Sequence, residues 1–135
     1  MAARAVTVAG ALAVVTAGFL PWSRSGEAQR NSFELARSAE RLDVLTGAAH
    51  QAAVAWYLVP ALVALLWITA TLRWDRAAAG LGAVVGALAL AAAALVLRSP
   101  LKVEPAVPIA GGAGAVALAG ALALGASRGI RGRRT

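Results

Sequence analysis

The side chains able to do chemistry are few and sit in the wrong places for buried catalysis. The chain has six acidic residues, one histidine and no cysteine. Disulfides, thiolate metal sites and thiol redox relays are therefore excluded. His50 shares the polar segment 23–51 with Glu27, Glu34 and Asp43, so an acid–base pair is conceivable there. A lone histidine where a helix begins more often serves as an interfacial side chain. No Gly-x-Ser-x-Gly, His-Glu-x-x-His or phosphate-loop pattern occurs. The reading is of a protein that is not an enzyme, with no catalytic residue, no cofactor, no cofactor-binding residue and no metal ligand set.

Four apolar runs surround these residues, over about 5–22, 52–72, 77–97 and 106–126. No Asp or Glu lies inside any of them, so ion coupling through a buried carboxylate is not expected. Each run is about as long as a helix needs to cross a hydrocarbon core of ~30 Å. With 60% hydrophobic and 14% charged residues, the chain is too apolar for a soluble domain of this length. The expected fold is all-α: an integral membrane four-helix bundle in a single transmembrane domain, 1–135. A signal peptide competes for the first run, with Arg4, an apolar stretch and the small-residue pattern Val15-Thr16-Ala17. Pro21-Trp22 fits equally a helix end with its indole at the interface. Both readings stand from the sequence.

The basic residues set the orientation. Arg4, the Arg73–Arg76 turn and a tail over 127–135 hold seven arginines and one acid, a sum of +6. The opposite side, 23–51 and 98–105, sums to +1. Both termini are therefore predicted cytoplasmic in the cell membrane, with the 23–51 loop outside. The tail, with Arg128, Arg131, Arg133 and Arg134, is expected to be disordered and drawn to anionic lipid of the bilayer. No basic-aromatic groove pattern points to nucleic acid.

Small residues mark the expected helix contacts, because helices in lipid gain by close approach and not by hiding leucine. Gly82, Gly86, Gly112 and Gly120 are the candidate packing positions, with the rows Ala9/Ala13/Ala17 and Ala79/Ala83/Ala87/Ala91. Pro60 falls inside the second run and is the candidate hinge.

The outer loop carries the candidate site. Asn31 can cap a helix and Glu34 can reach back to it. A short amphipathic extracytoplasmic helix over about 32–45 follows, with Leu35, Ser38, Ala39, Leu42 and Leu45 on one arc. It serves either as a lid over the bundle or as a docking face. Pairs such as Glu34–Arg37 and Arg37–Glu40 would support it. Phe33 falls on the charged arc, and Phe33, Glu34, Arg37 and Arg41 are the candidate docking residues for a membrane-protein partner or a second copy. Three prolines predict a stiff, extended 99–108 loop.

The pieces Leu20-Pro21-Trp22-Ser23-Arg24-Ser25-Gly26, Arg30-Asn31-Ser32-Phe33-Glu34-Leu35 and Trp56-Tyr57-Leu58-Val59-Pro60 resemble a group of uncharacterised small four-helix membrane proteins of high-GC actinobacteria. The resemblance implies location and architecture, and no activity or catalytic residue. The expected function is an accessory or scaffold subunit of a larger cell-envelope complex. The alternative is a component that translocates a lipid or polyprenyl carrier.

Overall fold

The computed structural model describes residues 1–25, 27–42, 46–99 and 102–131. The element order is α1 (Ala2–Phe19), β1 (Pro21–Ser25), β2 (Ala28–Asn31), α2 (Ser32–Arg41), α3 (Ala48–Trp56), α4 (Val59–Thr71), α5 (Asp75–Leu97), β3 (Lys102–Val103) and α6 (Ala106–Arg131). Helices dominate, as expected. The outer loops are not plain loops, however. They form a three-stranded antiparallel sheet of order β2-β1-β3. Pro21 restricts Leu20 to an extended conformation (φ −75°, ψ 161°), which ends α1 and starts β1. A register shift between Pro21 and Ser23 turns both Trp22 and Ser23 inward, and both are buried.

α1, α5 and α6 pack through small residues repeating at alternating three- and four-residue steps. The buried positions are Thr7, Gly10, Ala11, Val14, Ala17 and Gly18 on α1. On α5 they are Ala78, Gly82, Val85, Gly86, Ala89 and Ala93, with Asp75 in the first turn. On α6, Val107, Ala110, Gly114, Ala117, Ala121 and Leu124 continue the pattern. This is a heptad-like seam. It differs from the expected rows of four-residue spacing: Ala9, Ala13, Ala87 and Ala91 are exposed. A strict i+4 row drifts about 40° per step around a helix of 3.6 residues per turn, so it leaves the contact.

The glycines let the backbones touch. A Cβ on Gly120 would lie 2.8 Å from the Thr7 amide nitrogen, and one on Gly86 2.7 Å from the Gly114 carbonyl oxygen. A Cβ on Gly82 would overlap the Thr7 methyl. Gly112 differs from these three: it has nothing within 4 Å and is exposed. Large apolar side chains such as Leu12, Trp67, Ile68, Val84 and Leu122 point outward. Small inside and large outside suits a lipid solvent. Three helices, α1, α5 and α6 as far as Ser127, are long and apolar enough to cross a membrane.

The second apolar run is not one straight helix. It breaks at Tyr57-Leu58, and the stretch His50–Trp56 meets α4 at 54°. Pro60 is not in a helix interior. It occupies the first turn of α4, where a missing N–H breaks no hydrogen bond. α4 ends in a left-handed residue, Arg73 (φ 59°), with the Trp74 amide donating to Thr69 and the Arg73 amide to Ala70. Such a position favours glycine, and arginine costs about 1–2 kcal/mol there.

α2 is shorter than expected, and residues 43–45, including Leu45 and Asp43, lie outside the described ones. β3 pairs with β1 through Ser23 and Arg24, so the 99–108 segment joins the sheet. α6 runs on through Arg131, so the first part of the predicted disordered tail is helical, while Arg133 and Arg134 lie outside the described residues.

The glycine contacts generate a paired prediction. Gly120→Ala should lower the melting temperature in detergent, with overpacking costing about 1–3 kcal/mol. Gly112→Ala, facing open space, should leave it unchanged or raise it slightly. Equal effects would contradict the assigned α1–α6 contact.

Candidate functional site

The end of the bundle carrying the sheet is a cap built onto the last turn of α1. A helix end leaves carbonyls without intrahelical partners. Here side chains from the cap supply them. The buried Trp22 indole donates to the Ala17 carbonyl at 2.8 Å. The Ser32 hydroxyl donates to the Gly18 carbonyl at 2.7 Å, and the Trp56 indole donates to Ser32 Oγ at 2.9 Å. Residues from β1, α2 and α3 thus meet on one helix terminus. Among the described residues no buried side-chain nitrogen or oxygen lacks a partner.

Aromatic rings fill the space around this junction. The Trp22 and Trp56 centroids lie 5.5 Å apart, Phe19 and Phe33 5.1 Å, and Phe33 and Trp56 6.2 Å. Phe33 also stacks on Tyr57 at 6.4 Å. Phe33 is half-buried and sits over Gly18, where a Cβ would come within 3.4 Å of its ring. The sequence pattern places it on the exposed charged arc. β2 runs straight into α2 at Asn31-Ser32, and this junction instead turns that face onto the end of α1.

Asn31 and Glu34 form the expected capping box. The Glu34 amide donates to Asn31 Oδ1 at 2.9 Å and the Asn31 amide to Glu34 Oε2 at 3.0 Å. Glu34 is thereby committed to α2. The expected pairs with Arg37 are absent among the described residues, whose ion pairs are Arg4–Asp75 and Arg24–Glu104. Arg37 and Arg41 are exposed on the outer side of α2.

The apolar side of α2 rests on the bundle only in part: Leu35 packs against the core and Leu42 does not. Beneath it lies a half-open groove of about 440 Å³. Leu35, Ala36, Ala39 and Leu42 form its roof. Ala52, Ala53 and Trp56 of α3 form one wall, and Leu88, Ala92, Leu95 and Val96 of α5 the other. Trp22 closes it toward the sheet. Leu42 keeps 73% of its surface exposed, so the expected close packing of Leu42 on the bundle is not made. The volume is within the usual ~300–1,000 Å³ of a ligand pocket.

Its polar side chains are Arg30, Ser32, Ser38 and Ser99. From Leu88, near the middle of α5, to the helix end at Leu97 the rise is about 14 Å. That equals about half of a ~30 Å hydrocarbon core. The groove therefore has the depth of one leaflet.

His50 is exposed, and among the described residues no three of His, Asp and Glu come together. At the other end of the bundle Arg4 reaches Asp75, with Nε at 2.9 Å and Nη2 at 2.5 Å from Oδ1, tying the start of α1 to the start of α5.

Sequence reasoning missed Ser32, Arg30 and the α5 face Leu88/Ala92/Leu95. In the sequence Ser32 stands only as part of a helix start, Arg30 as one charge of the polar segment, and the α5 leucines as part of an apolar run. The Gly26-Glu27 pair between polar flanks was the available signal in the sequence for a hairpin. Comparison with known proteins gives no matching family model, no matching curated protein and no matching solved structure.

Proposed function

We propose that this chain is a four-crossing protein of the cell membrane that holds the apolar chain of an outer-leaflet lipid in the groove beneath α2. Its role is binding and handling of lipid, not catalysis. The observation that carries this reading is the leaflet-deep groove, apolar along its length. Burying an acyl chain in lipid gains little from hydrophobicity, since the tails outside are equally apolar. The gain comes from contact with walls already in place and from filling space that the rigid cap holds open. α3 and α4 act as one bent crossing. The bend swings α3 outward and makes the width of the groove.

The charge distribution supports an orientation with both termini cytoplasmic and the cap outside. Arg73 is kept in a strained turn beside Arg76, where a glycine would relax the backbone but remove a positive charge from the short inner connection.

A second reading is an accessory or scaffold subunit of an envelope complex. The exposed Arg37 and Arg41 on the outer side of α2 favour it, with Glu34 and Phe33 as neighbours fixed in the cap. The two readings differ in what leaves the membrane with the protein, a lipid or a second polypeptide.

The chain has no cysteine, so single introduced cysteines report its topology directly. Gln29→Cys, at an exposed strand position, should react with an impermeant maleimide in intact cells, and Ser127→Cys should not. Reverse labelling would overturn the orientation, and labelling of both would mean an odd number of crossings.

Chain occupancy is read from tryptophan fluorescence. Trp67→Phe with Trp74→Phe leaves Trp22 and Trp56, which are 1% and 3% exposed. Phospholipids brominated along their chains should quench this pair in vesicles. Ala92→Phe, which fills the groove, should abolish the quenching while the protein stays folded. No quenching before that change would defeat the reading.

A further inference from the structure

We infer that the lipid in the groove is an anionic phospholipid whose headgroup oxyanion is bound by Arg30 at the mouth. This rests on the reading that the groove takes a lipid chain, and adds the headgroup class.

The first support is where the polarity sits. The groove walls are alkyl and indole surface. Ser32 is committed to Gly18 and Trp56. Ser38 and Ser99 border the end of the groove away from Leu88, with Arg30. A chain reaching from the bilayer midplane along α5 places its headgroup at that end.

The second support is the state of Arg30. Its Nη1 donates to Ser38 Oγ at 2.6 Å, and the Ser38 hydroxyl donates onward to the Glu34 carbonyl oxygen at 2.8 Å. Ser38 is thus an acceptor that orients the guanidinium. A guanidinium has five N–H donors, and this bond uses one. Arg30 forms no ion pair with a carboxylate among the described residues. The nearby acid Glu34 is held by the Asn31 amide. Arg24, on the neighbouring strand, is 3.7 Å from Glu104 and so already neutralised. Among the described residues that line the groove, Arg30 is the cation, and it is oriented by Ser38. Its planar fork matches two phosphate oxygens at once, which a zwitterionic surface offers less well because its own ammonium competes.

Native mass spectrometry in mild detergent, with equal amounts of phosphatidylglycerol and phosphatidylcholine of identical chains, tests the inference. The wild-type protein should retain phosphatidylglycerol about 10-fold over phosphatidylcholine, the scale of one charge-assisted pair. Arg30→Gln keeps a donor for Ser38 and should hold both lipids equally. Arg30→Lys should restore part of the preference. Ala92→Phe should remove both adducts. Equal retention by the wild type, or a preference that survives Arg30→Gln, would overturn the headgroup assignment while leaving the chain site standing. Retention of neither lipid by the wild type would defeat the chain site itself.

Discussion

The last turn of α1 must have its carbonyls satisfied, and the half of the molecule that carries the sheet is arranged around that requirement. Away from water an unpaired carbonyl costs about as much as a lost hydrogen bond. Pro21 prevents the chain from continuing the helix. The Leu20 amide turns back to the Ala17 carbonyl, and the cap adds further donors, Trp22 on β1 to Ala17 and Ser32 on α2 to Gly18, with Trp56 on α3 donating to the Ser32 hydroxyl. The cap is thus tied at its α1 edge and is free to stand away from α5. That asymmetry makes a groove where an unanchored amphipathic helix would lie flat and close it.

The bundle below supplies rigidity without bulk. Backbone approaches near Gly10, Gly86 and Gly120 leave no room for a single added carbon, so α1, α5 and α6 cannot slide past one another. Arg4 and Asp75 fix the far end, where neither side chain is fully in water. α4 lies against this trio through Val59, Val63 and Leu66, and its bend to α3 turns a span into a groove wall. Function, in this account, depends on what the trio does not fill.

The apolar runs, the helix boundaries near residues 97 and 106, and the Asn31–Glu34 capping box were legible in the sequence. Each depends on residues close together in the chain. The sheet was not legible, because β3 is two residues long and pairs with β1 across most of the molecule. The contact faces were legible by residue type but not by register. Gly82, Gly86 and Gly120 lie in contacts, yet Gly112, of the same type on the same helix as Gly120, faces outward. Periodicity cannot say which side of an almost uniformly apolar helix meets a neighbour. The same blindness hid the groove: Leu88 and Leu95 read as ordinary apolar positions, and Leu42 as part of an arc packed on the bundle. Only the anchoring of α2 at Ser32 shows that they surround an empty space rather than one another.

The proposed lipid site requires this space to be open in the membrane and filled by a lipid chain. An experimental structure of the protein in a lipid nanodisc tests it most directly. An elongated density should run from Leu88 to the Arg30 guanidinium, with Leu42 and Leu95 on opposite sides of it. A cap settled onto α5, with Leu42 in contact with Leu95 and no density between them, would contradict it.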